Sequence, residues 1–167
     1  MRKLFVVFAL VLLLSVSLTG CGMLVERPEI EEGRFNFSVT YEWNGEIATV
    51  TGVYVCEYLG TAWALDGGSY RDWDYYVEGD MTDTQLVIGD TEDGGELRLI
   101  LDFCPEYFMS DPLVAEWEYP EIYLSVYHDD EEGLSILYGD DVEEEYNARI
   151  ISYEYDEPIE NSFGLFK

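Results

Sequence analysis

One histidine, three cysteines and a run of aromatic rings are the side chains in this sequence whose chemistry could go beyond packing. His128 stands beside Asp129 and Asp130. As a general base it would need a nucleophile within reach. The stretch Gly67-Gly68-Ser69-Tyr70-Arg71 begins like a G-x-S-x-G nucleophile elbow but has arginine at the fifth position. His128 is therefore expected to be a solvated histidine at a strand end. Paired carboxylates can hydrolyse glycosides. Among 36 Asp and Glu residues some pair always falls at a suitable spacing, so a carboxylate hydrolase site remains an unlocated alternative.

The other candidates concern binding. Cys56 and Cys104 form an even pair once Cys21 is set aside. In an exported domain such a pair is a candidate disulfide, the alternative being two buried thiols. The alternation of the chain puts Cys56 on the core face with Tyr54. It puts Cys104 opposite Leu97, Leu99, Leu101 and Phe103, which disfavours the bridge. Trp63, Tyr70, Trp73, Tyr75 and Tyr76, with Asp72 and Asp74 between them, are the one constellation with a binding character. Flat rings beside carboxylates suit a sugar, although rings in a strand more often fill a core. A calcium loop laid on Asp90 places Gly94 at the fifth position and Leu101 at the twelfth, where oxygen ligands are required. No cofactor or metal site is expected. Weak calcium binding by the acidic turns 90–96, 129–133 and 139–145 is open, against the plainer expectation of a solvated acidic face.

The elements that must position these groups alternate with period two. FNFSVTYEW (35–43) sets Phe35, Phe37, Val39, Tyr41 and Trp43 against Asn36, Ser38, Thr40 and Glu42. Asn44-Gly45 follows, a two-residue hairpin signal because both positions of a type I′ turn need positive φ. Pairing Trp43 with Glu46 sets Tyr41 opposite Ala48, Val39 opposite Val50, Phe37 opposite Gly52 and Phe35 opposite Tyr54, so apolar face meets apolar face. Further strands are predicted near 61–66, 70–78, 83–89, 96–103, 121–128, 133–138 and 148–155. Turns are expected at Asp66-Gly67-Gly68 and at 92–95. At most one short helix is expected, near 140–146, with Asp140 as its N-cap and Glu143 in its first turn. Many short strands with Gly-rich turns imply an all-β fold, an antiparallel meander forming a sandwich or an up-and-down barrel.

The N-terminus supplies an address. Arg2 and Lys3 precede an apolar run from Leu4 to Leu18, too short for the roughly 20 residues a membrane span needs. A charged start, a short apolar stretch and small residues at a cut site mark a secretory signal. Leu18-Thr19-Gly20-Cys21 resembles the lipobox of bacterial lipoprotein precursors. That resemblance implies a signal peptide over 1–20, cleavage before Cys21, and a diacylglycerol on the Cys21 sulfur. It covers residues 1–21 alone. Residues 21–32 then read as a lipidated N-terminus and tether, because Pro28 and its neighbouring acids disfavour regular structure. Residues 33–167 read as one β domain. Its whole pattern resembles the acidic lipoproteins of bacterial surfaces, a likeness that assigns no residue a role.

Losing Arg2 and Lys3 with the leader leaves 6 basic against 36 acidic residues, a formal charge of −30. Nucleic acid, which needs basic patches, is excluded. Repulsion from anionic lipid is expected to hold the domain off the surface. The expected protein is a lipid-anchored binding or interaction module on the extracytoplasmic face of the cell membrane, non-catalytic and with an unknown ligand or protein partner. The first alternative is a carbohydrate-binding domain using the 63–76 aromatics. Cys21→Ala removes the acyl acceptor, so metabolic labelling with palmitate should mark the wild-type chain and not the variant. Label retained by the variant refutes the lipobox.

Overall fold

The computed structural model describes residues 25–64, 68–81, 83–113, 120–130 and 133–164. The leader expected at 1–20, Cys21 and part of the turn expected at 66–68 lie outside the described residues. Chain order is β1 (Arg27–Pro28), β2 (Glu32–Trp43), β3 (Glu46–Trp63), β4 (Ser69–Gly79), β5 (Gln85–Asp90), β6 (Glu96–Asp102), α1 (Pro105–Phe108), β7 (Glu121–Asp130), β8 (Gly133–Tyr138), α2 (Asp140–Tyr146), β9 (Ala148–Tyr155) and β10 (Phe163–Gly164). Among the described residues no helix is long and apolar enough to cross a membrane.

The fold is all-β and antiparallel. One four-stranded sheet has the order β4-β3-β2-β9, a second has the order β5-β6-β7-β8, and β1 pairs with β10. The second sheet is a plain meander. In the first, β9 returns across the molecule to pair with β2. The sheets are separate ladders joined by one core, which is a sandwich and not a closed barrel. Phe35, Phe37, Val39 and Tyr41 of β2 share that core with Leu97, Leu99 and Leu101 of β6 and Leu124 and Val126 of β7.

The first hairpin keeps the expected register at every pair from Phe35–Tyr54 to Trp43–Glu46. Asn44 (φ 53°) and Gly45 (φ 81°) supply the positive dihedrals of the type I′ turn. A Cβ built on Gly52 would meet the Phe37 ring at 2.6 Å, so the ring lies over bare backbone. Three local expectations change. The strand expected at 61–66 is the end of β3, which runs unbroken to Trp63 through a bulge between Tyr58 and Gly60. Among the described residues two short helices form instead of one. Pro105 opens α1, where its missing N–H costs nothing. Phe108, fully buried, holds that turn in the core, so burial and not periodicity makes it helical. Asp140 is the first residue of α2 and not its cap; Gly139 precedes it with φ 66°, and Asn147 at φ 48° ends it.

The segment expected to be an irregular tether is largely docked. Glu29 N–H donates to Ser162 O (2.7 Å), Ile30 N–H to Asn161 Oδ1 (3.0 Å), and Tyr58 N–H to Glu31 O (2.8 Å). Arg71 fixes the start of this segment. Its Nε donates to Glu26 O (2.7 Å), its Nη1 to Asp111 Oδ1 (2.6 Å), and its guanidinium lies 4.2 Å over the Phe163 ring. Asp111 also accepts from Trp73 Nε1 (3.0 Å) and from Leu113 N–H (2.9 Å). The Arg71 and Asp111 side chains are 4% and 1% exposed. Removing one partner of a buried pair leaves an uncompensated charge and costs about 3–5 kcal/mol. Urea unfolding of Asp111→Ala should show that loss. The double variant Arg71→Met with Asp111→Leu should recover much of it. A loss below about 1 kcal/mol in Asp111→Ala contradicts the placement of the pair.

Candidate functional site

The most organised polar group lies where the β5–β6 turn meets β7 and α2. Thr91 N–H donates to Gly95 O (2.8 Å) and Gly94 N–H to Thr91 O (3.1 Å), which folds the turn back on itself. Asp93 emerges from this turn as the hub. Thr91 Oγ1 donates to Asp93 Oδ1 at 2.5 Å and Tyr146 OH to Asp93 Oδ2 at 2.8 Å, while His128 Nε2 lies 3.1 Å from the same Oδ2. The Thr91 and Tyr146 hydroxyls hold the Asp93 carboxyl well below the usual carboxylate range, with His128 adding to the effect. Loss of solvent and the bond to Asp93 push Tyr146 up to about 12, so it stays a donor at neutral pH. A Cβ at Gly95 would meet His128 Nε2 at 2.6 Å, so the imidazole occupies space that only glycine leaves.

His128 is thus not the solvated strand-end histidine expected. It sits inside β7 with its side chain 19% exposed. Its Nε2 faces Asp93 and, at 3.5 Å, the Tyr146 hydroxyl. The cluster ties a turn, a strand and a helix together. Beside it opens a cleft of about 380 Å³, lined by Trp43, Asn44, Asp90, Glu92, Asp93, Glu145, Tyr146 and Asn147 among others. Trp43 rests against β5, where a Cβ on Gly89 would meet its ring at 2.7 Å. Asn44 N–H donates to Asn147 O (3.2 Å), joining the β2–β3 turn to the end of α2. Asp90, Glu92 and Glu145 stand exposed on the rim. What the cleft offers is negative charge beside two half-buried rings. No family model, no curated protein and no solved structure matches this chain.

The five aromatics with a possible binding character are divided. Trp73 is buried, packs edge-on to Tyr58 (5.3 Å) and spends its indole N–H on Asp111. Tyr75 lies on the inward face and rests on Tyr54 at 5.4 Å. Tyr76 lies on the outward face, its OH 3.4 Å from Glu57 Oε1. Tyr70 pairs with Ala62 and Trp63 with Ser69, so those two rings point to opposite faces of their hairpin. Among the described residues no three His, Cys, Asp or Glu side chains converge to hold a metal ion. The side chains of Asp129 and Asp130 lie outside the described residues. Trp43, Asp93 and Tyr146 escaped the sequence reading because about fifty residues separate each from the next. A tryptophan abutting the Asn-Gly turn was a local sign.

Cys56 is wholly buried in the core, and Cys104 is half-buried with its Sγ donating to Glu106 Oε2 at 3.0 Å. Both are thiols in this structure, so the candidate bridge is not formed in it. Burial, reinforced by the bond to Glu106, pushes Cys104 up to about 12. Burial raises Cys56 as well, reinforced by the Glu106 charge. Thiol–disulfide exchange proceeds through the thiolate, which both environments suppress. At pH 8 a thiol with that pKa carries roughly a thousandfold less thiolate than an ordinary one near 8.5. Iodoacetamide should therefore leave both nearly unlabelled in folded protein. Two thiols besides Cys21 should titrate in denaturant without reductant. Rapid labelling of folded protein contradicts this environment, and absence of both thiols in denaturant demonstrates the bridge.

Proposed function

We propose that the chain is a lipid-anchored, non-catalytic binding module on the extracytoplasmic face of the membrane, which presents an acidic cleft to a cationic partner. The observation that carries this reading is the place of the cleft. Strand β2 leaves the docked N-terminal segment at Glu32 and reaches the cleft at Trp43. Its 12 residues span about 36 Å at the rise of a strand. A protein held by Cys21 therefore carries Asp90, Glu92 and Glu145 at the pole farthest from its anchor. Exposed carboxylates beside Trp43 and Tyr146 suit lysine or arginine side chains, which pair with the acids and lay their stems or guanidinium on the rings.

Carbohydrate binding is the second reading, moved from the 63–76 aromatics to this cleft, because rings, carboxylates and the Asn44 and Asn147 amides line one surface. Titration with a lysine- and arginine-rich peptide, and separately with neutral oligosaccharides, separates the two. At about 0.5–1 kcal/mol per exposed ion pair, Glu92→Gln with Glu145→Gln should weaken peptide binding roughly 5- to 30-fold. The same number of charges removed at exposed Glu154 and Glu157 should change it little. Equal losses from both pairs would mean diffuse attraction to an acidic chain and no site. Saturable oligosaccharide binding, insensitive to salt, would establish the second reading instead.

A further inference from the structure

We infer that the hairpin formed by the end of β3 and the start of β4 seats in the interfacial layer of the bilayer beside the lipid anchor, with Trp63 as its main contact. The inference rests on lipidation of Cys21. Trp63 is 67% exposed, Leu59 61% and Tyr70 47%, and all three lie on this one hairpin end. Trp and Tyr are the side chains that favour the boundary between headgroups and acyl chains, because an apolar ring carries a polar edge.

The topology places this hairpin at the anchored pole. Thr61 pairs with Arg71, and Trp63 lies two residues further along, about 7 Å at the rise of a strand. Arg71 Nε holds the Glu26 carbonyl at 2.7 Å. Four residues, five peptide steps, then separate Glu26 from Cys21, a reach of at most about 18 Å fully extended. The acidic cleft lies the whole length of β2 away from this pole.

Charge is divided in the same direction. Between Tyr58 and Arg71 the sequence holds one acid, Asp66. Acids return just behind this hairpin end at Glu26, Glu29, Glu31 and Glu32. The far pole carries Asp90, Glu92, Asp93 and Glu96, together with Asp141 and Glu143 to Glu145 of α2. The hairpin end between Tyr58 and Arg71 is thus the least acidic part of the anchored pole, and the far pole is the more strongly repelled by an anionic surface. The nearest strand carboxylate, Asp72, is two positions behind Tyr70. Exposed Glu26, Glu29 and Glu32 stand at the same pole just behind the hairpin end, so its seating should be weaker on vesicles containing phosphatidylglycerol than on phosphatidylcholine alone.

The test uses the full lipidated chain reconstituted in phosphatidylcholine vesicles, with and without phosphatidylglycerol, some with brominated acyl chains that quench nearby tryptophan. Flotation with the vesicles reports the anchor, and quenching reports the hairpin. Wild-type protein should float and be quenched. Trp63→Phe should float and lose most of the quenching, while Trp43→Phe should keep it. Protein that does not float overturns the Cys21 reading and this inference with it. Protein that floats with quenching absent, or unchanged by Trp63→Phe, overturns this inference alone and assigns the hairpin to another occupant, such as a second copy of the chain or a soluble ligand.

Discussion

The buried ion pair between Arg71 and Asp111 is the constraint on which one whole end of the sandwich depends. Two charges taken out of water are tolerated only when their remaining hydrogen-bonding capacity is met. Here the guanidinium also engages Glu26 O and the Phe163 ring, and the carboxylate also takes the Trp73 indole and the Leu113 amide. Each requirement recruits a different segment: β4, the chain before β1, the loop after α1, and β10. The β1–β10 ladder has two residues on each side and would not persist alone. The pair therefore fixes where both ends of the described chain emerge.

Charge economy explains much of the remaining surface. The described chain has five arginines, and each meets a carboxylate: Arg27 with Glu31, Arg34 with Glu78, Arg71 with Asp111, Arg98 with Glu96, and Arg149 with Glu42. Four of these pairs are wholly or partly exposed and contribute little to stability individually. They relieve some of the self-repulsion of a strongly acidic domain. Acids are dense in the turns at the β5–β6 and α2 pole, with Asp90, Glu92 and Asp93 in one and Asp141 and Glu143 to Glu145 in the other. Asp93 is the exception within that group, since three side chains converge on its carboxylate. It thereby turns a repulsive loop into a fixed wall of the cleft.

Local features of this fold were legible because their causes are local. The Asn44-Gly45 turn sets the register of the first hairpin, since a slip of one residue would send Phe35, Phe37 and Val39 to solvent. The β5 to β8 meander follows from alternating strands that pair in chain order, even though residues 103–120 with α1 separate β6 from β7. Alternation also puts Trp73 and Tyr75 on one strand face. Which of the two would be covered was not legible, because that depends on Asp111, forty residues away from Arg71. The bulge at Leu59 shifts the pairing of the hairpin end, so periodicity carried past it assigns faces wrongly.

Residues 1–21 by themselves imply the lipoprotein address, and alternation by itself determined an all-β chain with its first hairpin in register. Both are read from neighbours along the chain, at the range where side-chain period and turn chemistry act. Tertiary structure alone decided that β9 closes against β2, that Asp111 is an ion-pair partner and not a loop acid, and that Trp43, Asp93 and Tyr146 share one cleft. These pairings join residues tens to over a hundred positions apart. They form because two sheets bury one face each, and no local pattern specifies which distant turns that burial brings together.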